Sequence, residues 1–334
     1  MQTNFSRRRF LGAAAVAVGG LSSTAGYVTA ATPSGGRPWQ PLGKALITKT
    51  PTDEYCERLK KAGFDGMEVT HWDASVEEAR QARLIAEKHG LRIHSVMRGW
   101  TNFNAPDKEK VDADIKSVET ALRAAAAYGA SAVLLVPCRV GGKTMPEAWD
   151  FDIDFNPKTL NVKTVAAGDN SAYTDYIKAQ NHATETSIRA IESLIPTAAK
   201  EGVMIAVENV WNNLWCTPEF LAAFVTSFND PWVQTYFDLG NHTKYSRCEE
   251  WLKALAGTIA KLHIKDFAVS EVKGKRGGGP GDWAPVGGGT IDWKSVRKTL
   301  EEIRYSGWIT VEPAKGNLTE AEHSKLLDEY FGAS

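Results

Sequence analysis

Short runs of β-branched and apolar residues alternate along the chain with longer charged stretches whose apolar positions recur every three to four residues, the pattern of strands alternating with amphipathic helices. The spacing predicts strands over 45–50, 66–70, 92–97, 132–137, 204–209, 233–238, 259–266 and 308–313. Helical periodicity covers 54–62, 76–88, 110–128, 181–200, 218–228, 249–255, 293–304 and 320–329, so every strand is followed by a helix. Eight such units in unbroken alternation are what a closed parallel barrel requires. The expected fold is therefore α/β, a (β/α)₈ or TIM barrel over 43–334. An open doubly wound sheet would ordinarily carry a glycine-rich phosphate turn after its first strand, and Thr48-Lys49-Thr50-Pro51-Thr52 is not one. Two connections, 138–180 and 267–291, are too long for turns, and long loops on the strand-to-helix side of a barrel usually cover a site. The glycine-dense part of the second, 273–289, reads as a mobile lid.

The first thirty residues break this pattern. Ser6-Arg7-Arg8-Arg9-Phe10-Leu11 sets paired arginines before an apolar stretch ending at Gly20, and Val28-Thr29-Ala30 offers small residues for cleavage. Residues 1–30 thus resemble a twin-arginine export signal, followed by a Pro/Gly-rich linker over 31–42. The apolar stretch is interrupted by Gly19 and Gly20 and falls short of the ~20 residues a spanning helix needs. Export through the twin-arginine (Tat) machinery to the periplasm is the expectation. Cleavage would remove three arginines and no acid, taking the formal charge from −1 to −4, which argues against a nucleic-acid partner. Cys56, Cys138, Cys216 and Cys248 show no CxxC spacing, so neither a zinc ribbon nor a dense disulfide framework is expected, and a single bridge stays open. The sequence leaves room for a homo-oligomer.

Catalytic groups of such a barrel lie at the C-terminal ends of its strands. Strand alternation puts Glu208 on the inner face with Ala206, while Ile205 and Val207 point out to the helices. The same parity turns Asp238, His263 and Glu312 inward, so four ionisable residues converge on the barrel mouth. Three carboxylates brought together out of water repel one another and are driven to protonate unless a cation neutralises them. A divalent metal on Glu208, Asp238, His263 and Glu312 is the direct solution. This hard-to-borderline donor set suits Mn²⁺ first, with Mg²⁺, Co²⁺ and Zn²⁺ open. His242, four residues past Asp238, and Lys265, which shares the parity of His263, are candidate substrate contacts. Glu68, Asn209 and Asp266 fit hydrogen-bonding roles around ligands or substrate, and His94 is a weaker candidate. Eleven tryptophans are many; Trp100, Trp211, Trp215 and Trp283 fall in or beside loops where flat rings stack on sugar C–H faces.

The motifs Val207-Glu208-Asn209, Phe237-Asp238-Leu239-Gly240-Asn241-His242, His263-Ile264-Lys265-Asp266, Pro285-Val286-Gly287-Gly288-Gly289-Thr290-Ile291-Asp292-Trp293 and Val311-Glu312-Pro313 resemble, in order, those of the xylose isomerase-like sugar isomerase/epimerase superfamily. Gly63-Phe64-Asp65-Gly66-Met67-Glu68 resembles its entry into the second strand. The resemblance implies that Glu208, Asp238, His263 and Glu312 are metal ligands, with Glu208 and Glu312 as acid/base groups on opposite faces of a ketose. The implied activity is isomerisation or epimerisation of a free sugar or keto-sugar through a metal-stabilised ene-diolate. One departure matters. The better-defined epimerases carry a further glutamate six residues beyond the first ligand, where this chain has Leu214. The same enolate could instead expel a β-substituent, which would make the enzyme a lyase or hydratase of 3-keto-glycosides. An endonuclease of the same barrel superfamily would need several zinc ions, more histidine ligands and a basic surface, and seven histidines with a charge of −4 after cleavage argue against it. A non-catalytic sugar-binding barrel would not need the four-residue set.

Overall fold

Eight parallel strands pair in sequence order and close on themselves: β1 (Gly43–Thr48), β2 (Gly66–Val69), β3 (Arg92–Trp100), β4 (Ala132–Val136), β5 (Met204–Glu208), β6 (Val233–Asp238), β7 (Ile259–Ile264) and β8 (Trp308–Val311). Closure is made where β1 pairs with β8, with Gly43 opposite Trp308 and Leu46 opposite Val311. The computed structural model describes residues 42–312 and 315–332, all within the unit Ser34–Ser334. The expected signal over 1–30, nearly all of the linker over 31–42, and Pro313 at the end of the eighth expected strand lie outside the described residues.

The helices are α1 (Asp53–Lys61), α2 (Val76–Lys88), α3 (Lys108–Tyr128), α4 (Thr174–Glu201), α5 (Pro218–Ser227), α6 (Cys248–Ala254), α7 (Trp293–Glu302) and α8 (Glu320–Phe331). Local chemistry sets several ends. Ser75 with Glu78, and Thr319 with Glu322, form capping boxes that satisfy first-turn N–H groups of α2 and α8. Gly129, in the left-handed region at φ 77°, ends α3 and returns the chain to β4. Strand alternation sorts the core into two parts. Outward residues such as Val133, Ile205, Val207 and Phe237 join the large apolar layer beneath the helices, while Ala132, Leu134, Val136, Ala206 and Tyr236 pack inside the barrel. Trp308 closes the floor: a Cβ on Gly43 or Gly66 would come within 2.8 Å of its indole, and His94 stacks on it at 4.5 Å.

Two expectations about the loops change. Residues 259–266 do not form one strand; β7 stops at Ile264, and Asp266–Val269 turns away to pair with Gly281–Ala284 as an antiparallel hairpin. The segment 273–289 thus contains the second strand of this hairpin, and its turn is tied by the N–H groups of Lys273 and Gly274 donating to Gly278 O. The loop after β4 carries a smaller hairpin, Asp154–Phe155 with Val162–Thr164, and α4 starts at Thr174, seven residues before its apolar periodicity is evident. All four cysteines are free and buried, which removes the single bridge left open by the sequence. Among the described residues no helix is long and apolar enough to cross a membrane.

Candidate metal centre

The ends of β5, β6, β7 and β8 bring Glu208, Asp238, His263 and Glu312 together, each offering one ligand atom within 4.8 Å of the others. His263 is the centre of the group. Its Nδ1 lies 3.3 Å from Glu208 Oε1, 3.1 Å from Glu312 Oε2 and 4.0 Å from Asp238 Oδ2. Its other nitrogen, Nε2, donates to Glu68 Oε2 at 2.6 Å from beneath. A neutral imidazole carries one N–H; with that hydrogen on Nε2, the Nδ1 lone pair would be available to a cation held among the three carboxylates. Carboxylate–histidine pairing of this kind is what orients metal-binding imidazoles.

Asp238 is positioned by its own backbone. Its N–H donates to Asn209 Oδ1 at 2.6 Å, Asn209 Nδ2 donates to its carbonyl at 2.9 Å, and Asn241 N–H donates to Oδ1 at 2.6 Å. The remaining oxygen, Oδ2, is buried without a hydrogen-bond partner. Lys265 Nζ stands 3.5 Å from it and 2.9 Å from Glu312 Oε1. Burial pushes the Glu208 carboxyl up to about 7, with the charges of Glu312 and Asp238 adding to the rise against the pull of His263. Burial also raises Asp238, against the opposing charge of Lys265. Burial would raise Glu312 too, but the hydrogen bond and charge of His263, and then Lys265, hold it down at about 2. For His263, burial alone would lower the value; the acidic groups around it, Tyr236, Glu68, Glu208 and Glu312, keep it well above the ordinary histidine range. Three carboxyl groups thus crowd one imidazole and one ammonium group, and the buried Asp238 Oδ2 is left without a hydrogen-bond partner. Three hard oxygen donors and one imidazole nitrogen fit a divalent cation held by these four residues.

The other expected residues divide. Lys265 joins the cluster, Asn209 braces Asp238, and Glu68 sits under His263, fully buried, where it orients the ring instead of meeting a substrate from the mouth. Trp211 stacks on Trp283 at 4.7 Å, with Lys244 Nζ 3.8 Å over its ring and Lys265 Nζ 5.0 Å over that of Trp283. His242 does not enter the cluster: its Nε2 donates to Val210 O, its ring packs on Trp251 and Tyr245, and burial lowers it to about 3. Asp266 also turns away, accepting from the N–H groups of Gly287 and Gly289 and from Trp293 Nε1, so it anchors the long loop. His94 lies on the barrel floor, paired with Thr310 Oγ1. Trp215 is core, stacked on Phe224 and donating to Thr184 Oγ1, whereas Trp100 is exposed with Arg139 over its face.

Sequence reasoning missed the layer beneath the cluster. Tyr236 packs on His263 with ring centroids 4.4 Å apart and donates to Glu68 Oε2, while Thr310 and Ser95 hydroxyls surround its phenol oxygen. Lys261 is buried nearby and lowered to about 8 by that burial, against the raising charge of Glu68. Tyr236, Lys261 and Thr310 each stand two positions before a cluster residue and share its inward parity. A polar residue at that position of an apolar strand was the available signal.

Comparison with known proteins agrees with this geometry. The inosose dehydratase of Glaesserella parasuis is 31% identical over 132 residues, covering 36% of this chain and 44% of that protein. The L-ribulose-5-phosphate 3-epimerase of Escherichia coli O1:K1 is 25% identical over 144 residues, 42% of this chain and 48% of that one. The chain thus spans about half the length of these curated relatives. The apo 3-keto-D-glucoside 4-epimerase structure from E. coli superposes with a TM-score of 0.61 at 14% identity, over 86% of this chain and 98% of that one, a likeness of fold. The model of the xylose isomerase-like TIM barrel family matches residues 56–329, and the chain belongs to that family.

Proposed function

We propose that the chain is a metal-dependent isomerase or epimerase acting on a free sugar or keto-sugar by moving a proton at a carbon beside a carbonyl. The observation that carries this reading is the pair of carboxylates, Glu208 from β5 and Glu312 just past β8, at 3.3 Å and 3.1 Å from His263 Nδ1. A divalent cation, Mn²⁺ first, would supply Lewis-acid stabilisation of the negative charge that develops on the substrate oxygens. One glutamate takes the α-proton, leaving the substrate as an ene-diolate, and the other returns a proton from the opposite face. Lys265, 2.9 Å from Glu312, is within reach of a developing oxyanion. Trp211 and Trp283, stacked on each other, flank the cluster with Lys244 and Lys265 over their rings. Glu208→Gln and Glu312→Gln should each lower turnover about 10²- to 10⁴-fold.

A second reading is favoured by Leu214, which is 1% exposed within the apolar layer at the place where similar epimerases carry an extra glutamate. With no carboxylate there, the same enolisation could end in loss of a β-substituent, making the enzyme a lyase or hydratase of 3-keto-glycosides. The dehydratase relative is in keeping with this outcome. Incubation of aldoses, ketoses and 3-keto-glycosides in D₂O with Mn²⁺ or after chelation, followed by NMR, separates the two. Deuterium uptake without cleavage identifies an isomerase or epimerase, release of an aglycone identifies a lyase, and neither in the presence of metal overturns both. The proposal includes export of the folded chain by the signal over 1–30.

A further inference from the structure

The two long loops enclose a cavity of about 500 Å³, walled by 148–152 and 166–167 of the loop after β4, 216–218 after β5, 245–246 after β6 and 273, 275 and 276 after β7. We propose that this cavity is a second sugar-binding subsite, holding a ring of the substrate beyond the one that reacts, so that the substrate is a glycoside of at least two rings. The inference rests on the proposed sugar chemistry of the cluster and specifies its substrate class.

Position is the first argument. Of the four strands whose loops form the cavity, two end in Glu208 and Asp238 and a third carries His263 one residue before its end. The two sites are joined by a short chain of contacts. Tyr245 lines the cavity, and Lys244 before it covers Trp211, whose Nε1 donates to Asn241 O. Asn241 in turn holds Asp238 Oδ1.

Chemistry is the second. Trp149, Phe151, Pro218 and Tyr245 give the cavity apolar and flat aromatic surface, the usual partner of sugar C–H faces. Around them stand both acceptors and donors: Asp150 and Asp152, with Lys275 and with Lys273, whose Nζ lies 3.2 Å from Glu271 and 5.9 Å over the Trp149 ring. Arg276 is already engaged by Glu219 and Glu250. A site with carboxylates and ammonium groups together suits a neutral polyol, whose hydroxyls donate to one and accept from the other.

The third argument is an orphan. Ser246 lines the cavity, is 1% exposed, and its Oγ has no hydrogen-bond partner. Thr217, the N-cap of α5, likewise makes no side-chain cap bond. Buried hydroxyls are ordinarily paired, and a ligand hydroxyl would complete Ser246.

The test is calorimetric binding of D-glucose, glucose 6-phosphate, cellobiose, maltose and sucrose to the full-length protein. At least one disaccharide should bind about tenfold more tightly than glucose. Ser246→Ala, which removes a hydroxyl that bonds nothing in the protein, and Trp149→Ala should each erase most of that gain and leave glucose affinity unchanged, with thermal melting confirming the fold. Equal affinity for glucose and every disaccharide, or a disaccharide gain that survives both substitutions, overturns the subsite. So does tighter binding of glucose 6-phosphate than of any disaccharide, which would mark an anion site. Disaccharide selectivity without deuterium exchange into any keto-sugar would instead sink the enolisation reading and leave the subsite standing.

Discussion

His263 has two ring nitrogens, and the barrel gives them different work: Nε2 is engaged by Glu68 below and Nδ1 faces the carboxylates above. If Glu68 sets that tautomer, Glu68→Ala should weaken Mn²⁺ binding about 10- to 100-fold, and Glu68→Gln, which keeps an acceptor oxygen, should weaken it less. Calorimetric titration of metal-free protein checks this, and equal affinity in all three proteins would leave Glu68 a mere space-filler. The pH dependence has a definite sign. Glu208, raised to about 7, and His263, raised well above its ordinary range, hold protons that a cation must displace. Metal affinity should therefore climb as pH rises from 6 to 8, by up to about tenfold per unit for each proton released; an affinity flat across that window would contradict the arrangement. Strand parity made Glu208, Asp238 and His263 legible because a parallel strand keeps a period of two to its end. His242 and Asp266 lie past a strand end, where the backbone has turned and parity no longer says where a side chain points.

At the level of elements, the eightfold alternation was readable from periodicity alone, because a helix that covers a barrel must repeat its apolar face and a buried strand must not. The hairpins were not readable. Gly281–Ala284 and Asp154–Phe155 are too short to show a period, and glycine density announces a loop without giving its pairing. The floor was equally hidden, since nothing in a sequence shows that Trp308 lies across Gly43 and Gly66 from neighbouring strands. A Cβ at residue 66 would sit 2.3 Å from Arg92 O and 2.8 Å from the Trp308 ring. Gly66→Ala should therefore destabilise the barrel by about 1–3 kcal/mol or more, measured by chemical denaturation. A stability unchanged within error would mean that β2 and β3 can part at no cost.

For the whole molecule, the proposal of folded export predicts that replacing Arg7 and Arg8 with lysine traps the precursor inside the cell, which fractionation and immunoblotting would show. Secretion of the doubly substituted chain at the normal rate would point to another route. The four buried thiols bear on that route. Burial pushes Cys56 and Cys138 up to about 11 and Cys216 up to about 12, so within the closed barrel almost none is present as the reactive thiolate. A thiol reagent should find no cysteine in the native protein and four after guanidine. The same chain, unfolded among oxidants, could join its four thiols in three complete pairings, all of them non-native. Refolding without a reductant should thus return less active protein than refolding with one. Order of events then becomes a matter of survival for the molecule: burial is what shields its thiols, and a chain that meets oxidants before it folds meets them without that shield.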